Sequence, residues 1–71
     1  MKLSELEAVV EAILFVSGDA VSLTVIADAV GMDKATTKAI INSLAEKYES
    51  EKRGIRIVEL DGSYQMCTAA D

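Results

Sequence analysis

The strongest constraint on the fold of this chain is a dipeptide near its carboxyl end. Asp61-Gly62 separates two short apolar-bearing runs, Ile55 to Leu60 and Ser63 to Thr68, and a two-residue Asp-Gly connection of that kind signals a tight β-hairpin. Pairing across the turn sets Ile57 opposite Met66 and Glu59 opposite Tyr64. Ile55, Ile57, Tyr64 and Met66 then share a face able to close over a core, whereas Arg56, Val58, Leu60, Gln65 and Cys67 point away. That outer face is more apolar than a solvated hairpin requires.

The sequence before the hairpin is patterned for helices. Ser4-Glu5-Leu6-Glu7 predicts a capping box, with Ser4 as the cap and Glu7 reaching back to it. At about 100° per residue, Leu3, Leu6, Val10, Ile13 and Leu14 fall on one core-facing stripe, and Gly18-Asp19 ends the helix. Ala20-Val21 predicts a short strand, and Ser22 a cap for a second helix from Leu23 to Val30. In that helix Ile26 and Val30 face inward, Ala27 is small where helices cross, and Gly31 supplies the positive φ of a tight turn. Met32 is placed to pack from the turn and Asp33 to cap a third helix, whose core face is Ile40, Ile41, Leu44 and Tyr48. Glu49 to Gly54 reads as a solvated helix end. The order predicts an α+β winged helix-turn-helix, three helices with a C-terminal β-hairpin wing, as a single domain over residues 1–71.

A chain of this length buries only about 60% of the surface its unfolded form exposes, so such a domain gains from a partner. Hydrophobic residues make up 51% of it, which excludes disorder; aromatic residues make up 4%, with neither Trp nor His, leaving a core of Val, Ile, Leu and Ala. Seven basic residues against twelve acidic ones disfavour non-specific affinity for nucleic acid. A lone cysteine, Cys67, has no partner for an internal disulfide. No apolar run approaches the ~20 residues of a membrane span, and the Met1-Lys2 start lacks a signal-peptide pattern. These features predict a reducing, cytoplasmic setting without a membrane.

The first helix carries more apolar surface than one core stripe needs. Ala8, Val9, Ala12, Phe15 and Val16 lie on its side or back, with Phe15 roughly opposite Leu6. Either the hairpin folds over this face, or the face is an interface with a second copy or another partner. With Val58 and Leu60 on the outside of the hairpin, these residues are the candidates for a protein interface. Glu7 and Glu11, one turn apart, read most simply as a solvated helix face.

The alternative is a winged-helix DNA-binding transcriptional regulator, which would read base edges from the start of its third helix. Lys34 and Lys38 could touch phosphate there, and Asn42 lies a turn beyond. Asp33 would repel phosphate, no Arg is placed to take guanine, and the wing tip at Asp61 is acidic. Catalysis finds no footing in the pattern: Ser17 and Ser22 have no His to activate them, Cys67 reads as a small apolar strand residue, and the four dispersed glycines form no phosphate-cradling loop. No catalytic residue, metal site or cofactor is expected.

A family resemblance spans nearly the whole chain. Glu7 to Asp19, Leu23 to Gly31, Arg53-Gly54-Ile55-Arg56-Ile57-Val58-Glu59 and Gly62-Ser63-Tyr64-Gln65-Met66 resemble the amino-terminal domain of the segregation and condensation protein B family. The segments Ile13-Leu14-Phe15 to Ser17-Gly18 and Gly62 to Gln65 are the most specific. Ala20, where the family carries Pro, and Cys67 depart from the pattern. The resemblance implies a non-enzymatic accessory subunit of a prokaryotic SMC–kleisin complex, acting in chromosome condensation and segregation and associated with the nucleoid through that complex. It also implies a homodimer that binds the kleisin, segregation and condensation protein A, and through it SMC. Family members have two winged-helix domains. The resemblance implies that this chain, ending at Ala69-Ala70-Asp71 after the second hairpin strand, is expected to correspond to the first of them, the N-terminal half of a longer protein.

Overall fold

The computed structural model describes residues 2–68, so Met1 and the closing Ala69-Ala70-Asp71 lie outside the described residues. In chain order the elements are α1 (Leu3–Ser17), β1 (Val21–Ser22), α2 (Leu23–Val30), α3 (Lys34–Ser50), β2 (Ile55–Leu60) and β3 (Ser63–Thr68). The strands form one antiparallel sheet in the order β1-β3-β2, so the hairpin adds a minimal third strand on its β3 side. This is the α+β winged-helix arrangement that the sequence predicts.

The hairpin register is the expected one: Ile57 faces Met66, Glu59 faces Tyr64 and Leu60 faces Ser63. Asp61 and Gly62 hold φ of 52° and 86°, the two successive positive values of the turn whose twist matches paired strands. The short strand lies one residue later than predicted, with Val21 opposite Tyr64 and Ser22 opposite Ser63. Ser22 thus serves twice, since its hydroxyl also accepts from the Val25 amide at 3.3 Å and caps α2. The Leu23 amide donates to the Gly62 carbonyl at 3.1 Å, tying the start of α2 to the wing turn.

The core draws on every helix and on the wing: Leu6, Val10 and Leu14 from α1, Ile26 and Val30 from α2, Ile40, Ile41, Leu44 and Tyr48 from α3, and Tyr64 from β3. Ile13, Ile55, Ile57 and Met66 pack against it half-buried. Gly31 ends α2 at φ 74°, its amide and that of Met32 both donating to the Ala27 carbonyl. Asp33 caps α3 as predicted, accepting from the Thr36 amide at 3.2 Å and its hydroxyl at 2.6 Å. Thr37 is buried one residue later because its hydroxyl donates to the Asp33 carbonyl at 2.8 Å.

Four expectations change. Leu3 is half exposed: periodicity fixes its angle about the helix, but at the first helical residue it lies outside the packed cluster. Helix α1 begins before Ser4, with Lys2 as its cap, and Glu5 instead of Glu7 accepts from the cap residue's amide, at 2.8 Å. Met32 is exposed in the turn and does not join the core. Glu7 and Glu11 are not a solvated face. Glu7 is 3% exposed, with one carboxylate oxygen accepting from Lys47 Nζ at 2.6 Å and the other from Ser43 Oγ at 2.9 Å. Glu11 accepts from the Tyr48 hydroxyl. Partners from α3 therefore tie down this side of α1, which a one-helix projection cannot show.

Candidate functional site

Consequences follow for the apolar surplus of α1. With Glu7 and Glu11 turned to α3 and the Leu6, Val10 and Leu14 stripe in the core, Ala8, Ala12, Phe15 and Val16 are left exposed. Phe15 is 76% exposed and Val16 82%, so the hairpin does not bury them. Val9 differs from the group, packing half-buried against the core. Beside Phe15 lies an open groove of about 360 Å³, walled by Ala8, Glu11 and Ala12 of α1 and by Arg53, Ile55 and Met66 from the wing side. A ring standing clear of the surface next to a groove costs hydration free energy that a partner would recover.

Val58 and Leu60 do not sit with this cluster. The register puts them on the face of the hairpin opposite to Ile55 and Met66. Leu60 is half exposed at the end of β2, and Val58 is half-buried. Val58 belongs instead to a second, larger groove of about 760 Å³ between α3 and β2, lined by Ala45, Tyr48 and Glu49 of α3, by Lys52 to Gly54, and by Ile55 to Val58. Residue pattern does not reveal this groove, because the strand order that leaves β2 at the sheet edge is not readable from strand lengths.

Lys34, Lys38 and Asn42 are all exposed and, four residues apart, form one stripe along α3. The electrostatics around them work against a phosphate backbone. The Thr36 hydroxyl and amide hold the Asp33 carboxyl below its ordinary range, so the first turn of α3 keeps a negative charge. Asp61 stands exposed at the wing tip. Among the described residues no cluster of His, Cys, Asp or Glu could hold a metal ion, and Cys67 is a free, half-buried strand residue. None of the described helices is long and apolar enough to cross a membrane.

The interhelical pairs also set the chemistry of their own groups. The hydrogen bond from Lys47 lowers the Glu7 pKa, assisted by Ser43 and by the Lys47 charge, against the opposing effect of burial. Burial first, and then the hydrogen bond to Glu11, raises the Tyr48 pKa. Both arrangements hold α1 on α3 and neither supplies a reactive group.

The fold defines the class: a winged-helix domain, with helix-turn-helix, short strand and β-hairpin wing in sequence. Residues 8–71 match the model of the family Segregation and condensation complex subunit ScpB. The chain is 49% identical over 70 residues to Segregation and condensation protein B of Lachnoclostridium phytofermentans, covering 99% of this chain and 37% of that protein. It is 42% identical over 69 residues to the protein of the same name from Acetivibrio thermocellus, covering 96% of this chain and 35% of that one. The chain belongs to the ScpB family, and it spans about a third of the length of these relatives.

Solved structures agree on the fold. A crystal structure of a dimer of the ScpB N-terminal domain complexed with ScpA peptide superposes with a TM-score of 0.88 at 38% identity, over 94% of this chain and 84% of that one. ScpB from Mycobacterium tuberculosis superposes with a TM-score of 0.90 over 99% of this chain and 44% of its own, at 24% identity.

Proposed function

We propose that this domain is a non-enzymatic interaction module of a prokaryotic SMC–kleisin complex, that it dimerises through the outer face of α1, and that it binds the kleisin subunit. It would be the N-terminal winged-helix part of a two-domain accessory subunit, carried to the nucleoid by the complex and acting in chromosome condensation and segregation by bridging. The observation that carries the reading is the exposed apolar face of α1, where Phe15 and Val16 project beside Ala8 and Ala12. Support comes from the similar ScpB N-terminal domain, which was crystallised as a dimer with ScpA peptide.

Because Phe15 is mostly exposed, Phe15→Ala tests the interface without emptying the core. A buried Phe would cost about 3–5 kcal/mol on truncation, enough to unfold a small domain, whereas this one leaves the fold intact. Sedimentation analysis of the wild-type and Phe15→Ala chains should show self-association at least tenfold weaker in the variant, as for an aromatic anchor at the centre of an interface. An unchanged dissociation constant in a folded variant would remove α1 from the interface.

A further inference from the structure

The groove beside Phe15 offers little to a charged occupant. Two of its lining residues carry charge, and both are engaged within the chain: Glu11 accepts from the Tyr48 hydroxyl, and Arg53 pairs with Glu51 at 2.9 Å while lying 5.4 Å from the centre of the Tyr48 ring. The rest of the lining is Ala8, Ala12, Ile55, Met66 and Phe15 itself. An occupant therefore meets apolar surface that includes a thioether, a group that packs well against an aromatic ring. The chain has one Phe, two Tyr and no Trp. Tyr48 and Tyr64 are buried in the core, so Phe15 is the aromatic side chain this chain can offer to a groove outside itself.

The placement of ring and groove suits a second copy. Ala8, Glu11, Ala12 and Phe15 follow the i, i+3, i+4, i+7 spacing of one stripe along α1, so the exposed ring and the recess share a face. A two-fold axis lets each copy give its ring to the other's groove, and because both features lie on one face the assembly closes at two. In an antiparallel helix pair that sets Phe15 against Ala8 of the second copy, Ala8 meets the second copy's Phe15, and the axis passes between Glu11 and Ala12. Ala8 and Ala12 are small, which allows helix axes to approach to about 8 Å. Glu11, beside the axis, has its carboxylate held by Tyr48 of its own chain. A side chain from an unrelated protein would fill the groove and leave the Phe15 ring in water; a second copy covers both at once.

We propose that this groove is the socket for Phe15 of a second copy, with the two α1 helices antiparallel and both rings inserted reciprocally. This rests on the reading above that the domain dimerises through α1, and deepens it by naming what Phe15 enters and how the helices meet.

Isotope-filtered NOE spectra of an equimolar mixture of labelled and unlabelled chains test the proposal, with self-association measured in parallel by sedimentation. Phe15 ring protons of the unlabelled chain show contacts to the methyl groups of Ala8, Ala12 and Met66 of the labelled chain. Ala8→Leu, a good helix former at an exposed position, fills the socket and weakens self-association at least tenfold with an unchanged circular dichroism spectrum. On an apolar face without a socket the larger side chain would strengthen association, and that result overturns the proposal. A dimer in which the Phe15 ring contacts other residues of α1 overturns the socket and leaves dimerisation through this helix standing. A monomer at every concentration overturns both. Contacts in the groove that arise only when the kleisin is added assign it to the kleisin and also overturn the proposal.

Discussion

Glu7 brings a charge into a nearly closed space, and its two partners do not stand on an equal footing. Lys47 is half exposed and can return to water if Glu7 is removed, whereas the Glu7 side chain is 4% exposed and cannot. Loss of the two partners should therefore cost different amounts. Glu7→Gln lowers stability by about 1 kcal/mol, the net worth of a hydrogen bond that is replaced in part. Lys47→Met costs roughly 2 kcal/mol, because it strands a buried carboxylate with Ser43 alone; a fully buried pair would lose ~3–5 kcal/mol. Urea unfolding of the two variants checks the order, and a Glu7→Gln, Lys47→Met double variant should fall well short of the sum. The same pair gives the pH dependence its sign. Since folding lowers the Glu7 pKa below its ordinary 4.5, the pair stabilises fully above that value, and the gain is lost as pH falls through it towards the folded-state pKa. Asp33 acts in the same direction through Thr36. Glu7→Gln should accordingly narrow its stability gap to wild type between about pH 5 and 3, measured by thermal melts across that range; a constant gap would show that the pair does not contribute.

The turns carry a cost that can be separated from packing. At Gly31 a built Cβ meets nothing within 4 Å, so Gly31→Ala adds no clash and exposes only the expense of a φ of 74°. A loss of about 1 kcal/mol in thermal or urea melts is expected. The elements themselves were legible because their determinants are local: a 3.6-residue period in α3, Ser22 and Asp33 at helix starts, Gly31 at a helix end, and Asp61-Gly62 fixing the register through to Ile57 and Met66. What was not legible depends on neighbours in space. Leu3 has the right angle but lies outside the packed cluster. Glu7 and Glu11 look solvated until α3 brings Ser43 and Lys47 against Glu7 and Tyr48 against Glu11, contacts that the pattern of a single helix does not show. Val58 reads as an outward residue in the hairpin and lines a groove only because α3 continues beside β2. The exposed position of Phe15 was one of two outcomes the pattern allowed, and the limited width of a two-stranded wing left it uncovered.

The molecule as a whole presents a helix-turn-helix scaffold whose charges do not suit DNA. Net charge, the helix-capping Asp33 and the wing-tip Asp61 together predict that affinity for duplex DNA near physiological salt stays at the weak, non-specific end, ~0.1 mM or poorer. Lys34→Glu with Lys38→Glu should leave self-association and kleisin binding unchanged; tight, steeply salt-dependent DNA binding abolished by those changes would restore the regulator reading. A domain this small also gains stability from covering its apolar surface, so its folding and its assembly are linked by mass action. The claim that joins α1, the wing and the family is that the domain self-associates. Its most direct test is the solution mass of the 71-residue chain by light scattering over a concentration series. The account predicts twice the chain mass, falling towards the monomer only on dilution. A mass equal to one chain at every concentration would contradict it, and would mean that the exposed face of α1 serves no second copy of this domain.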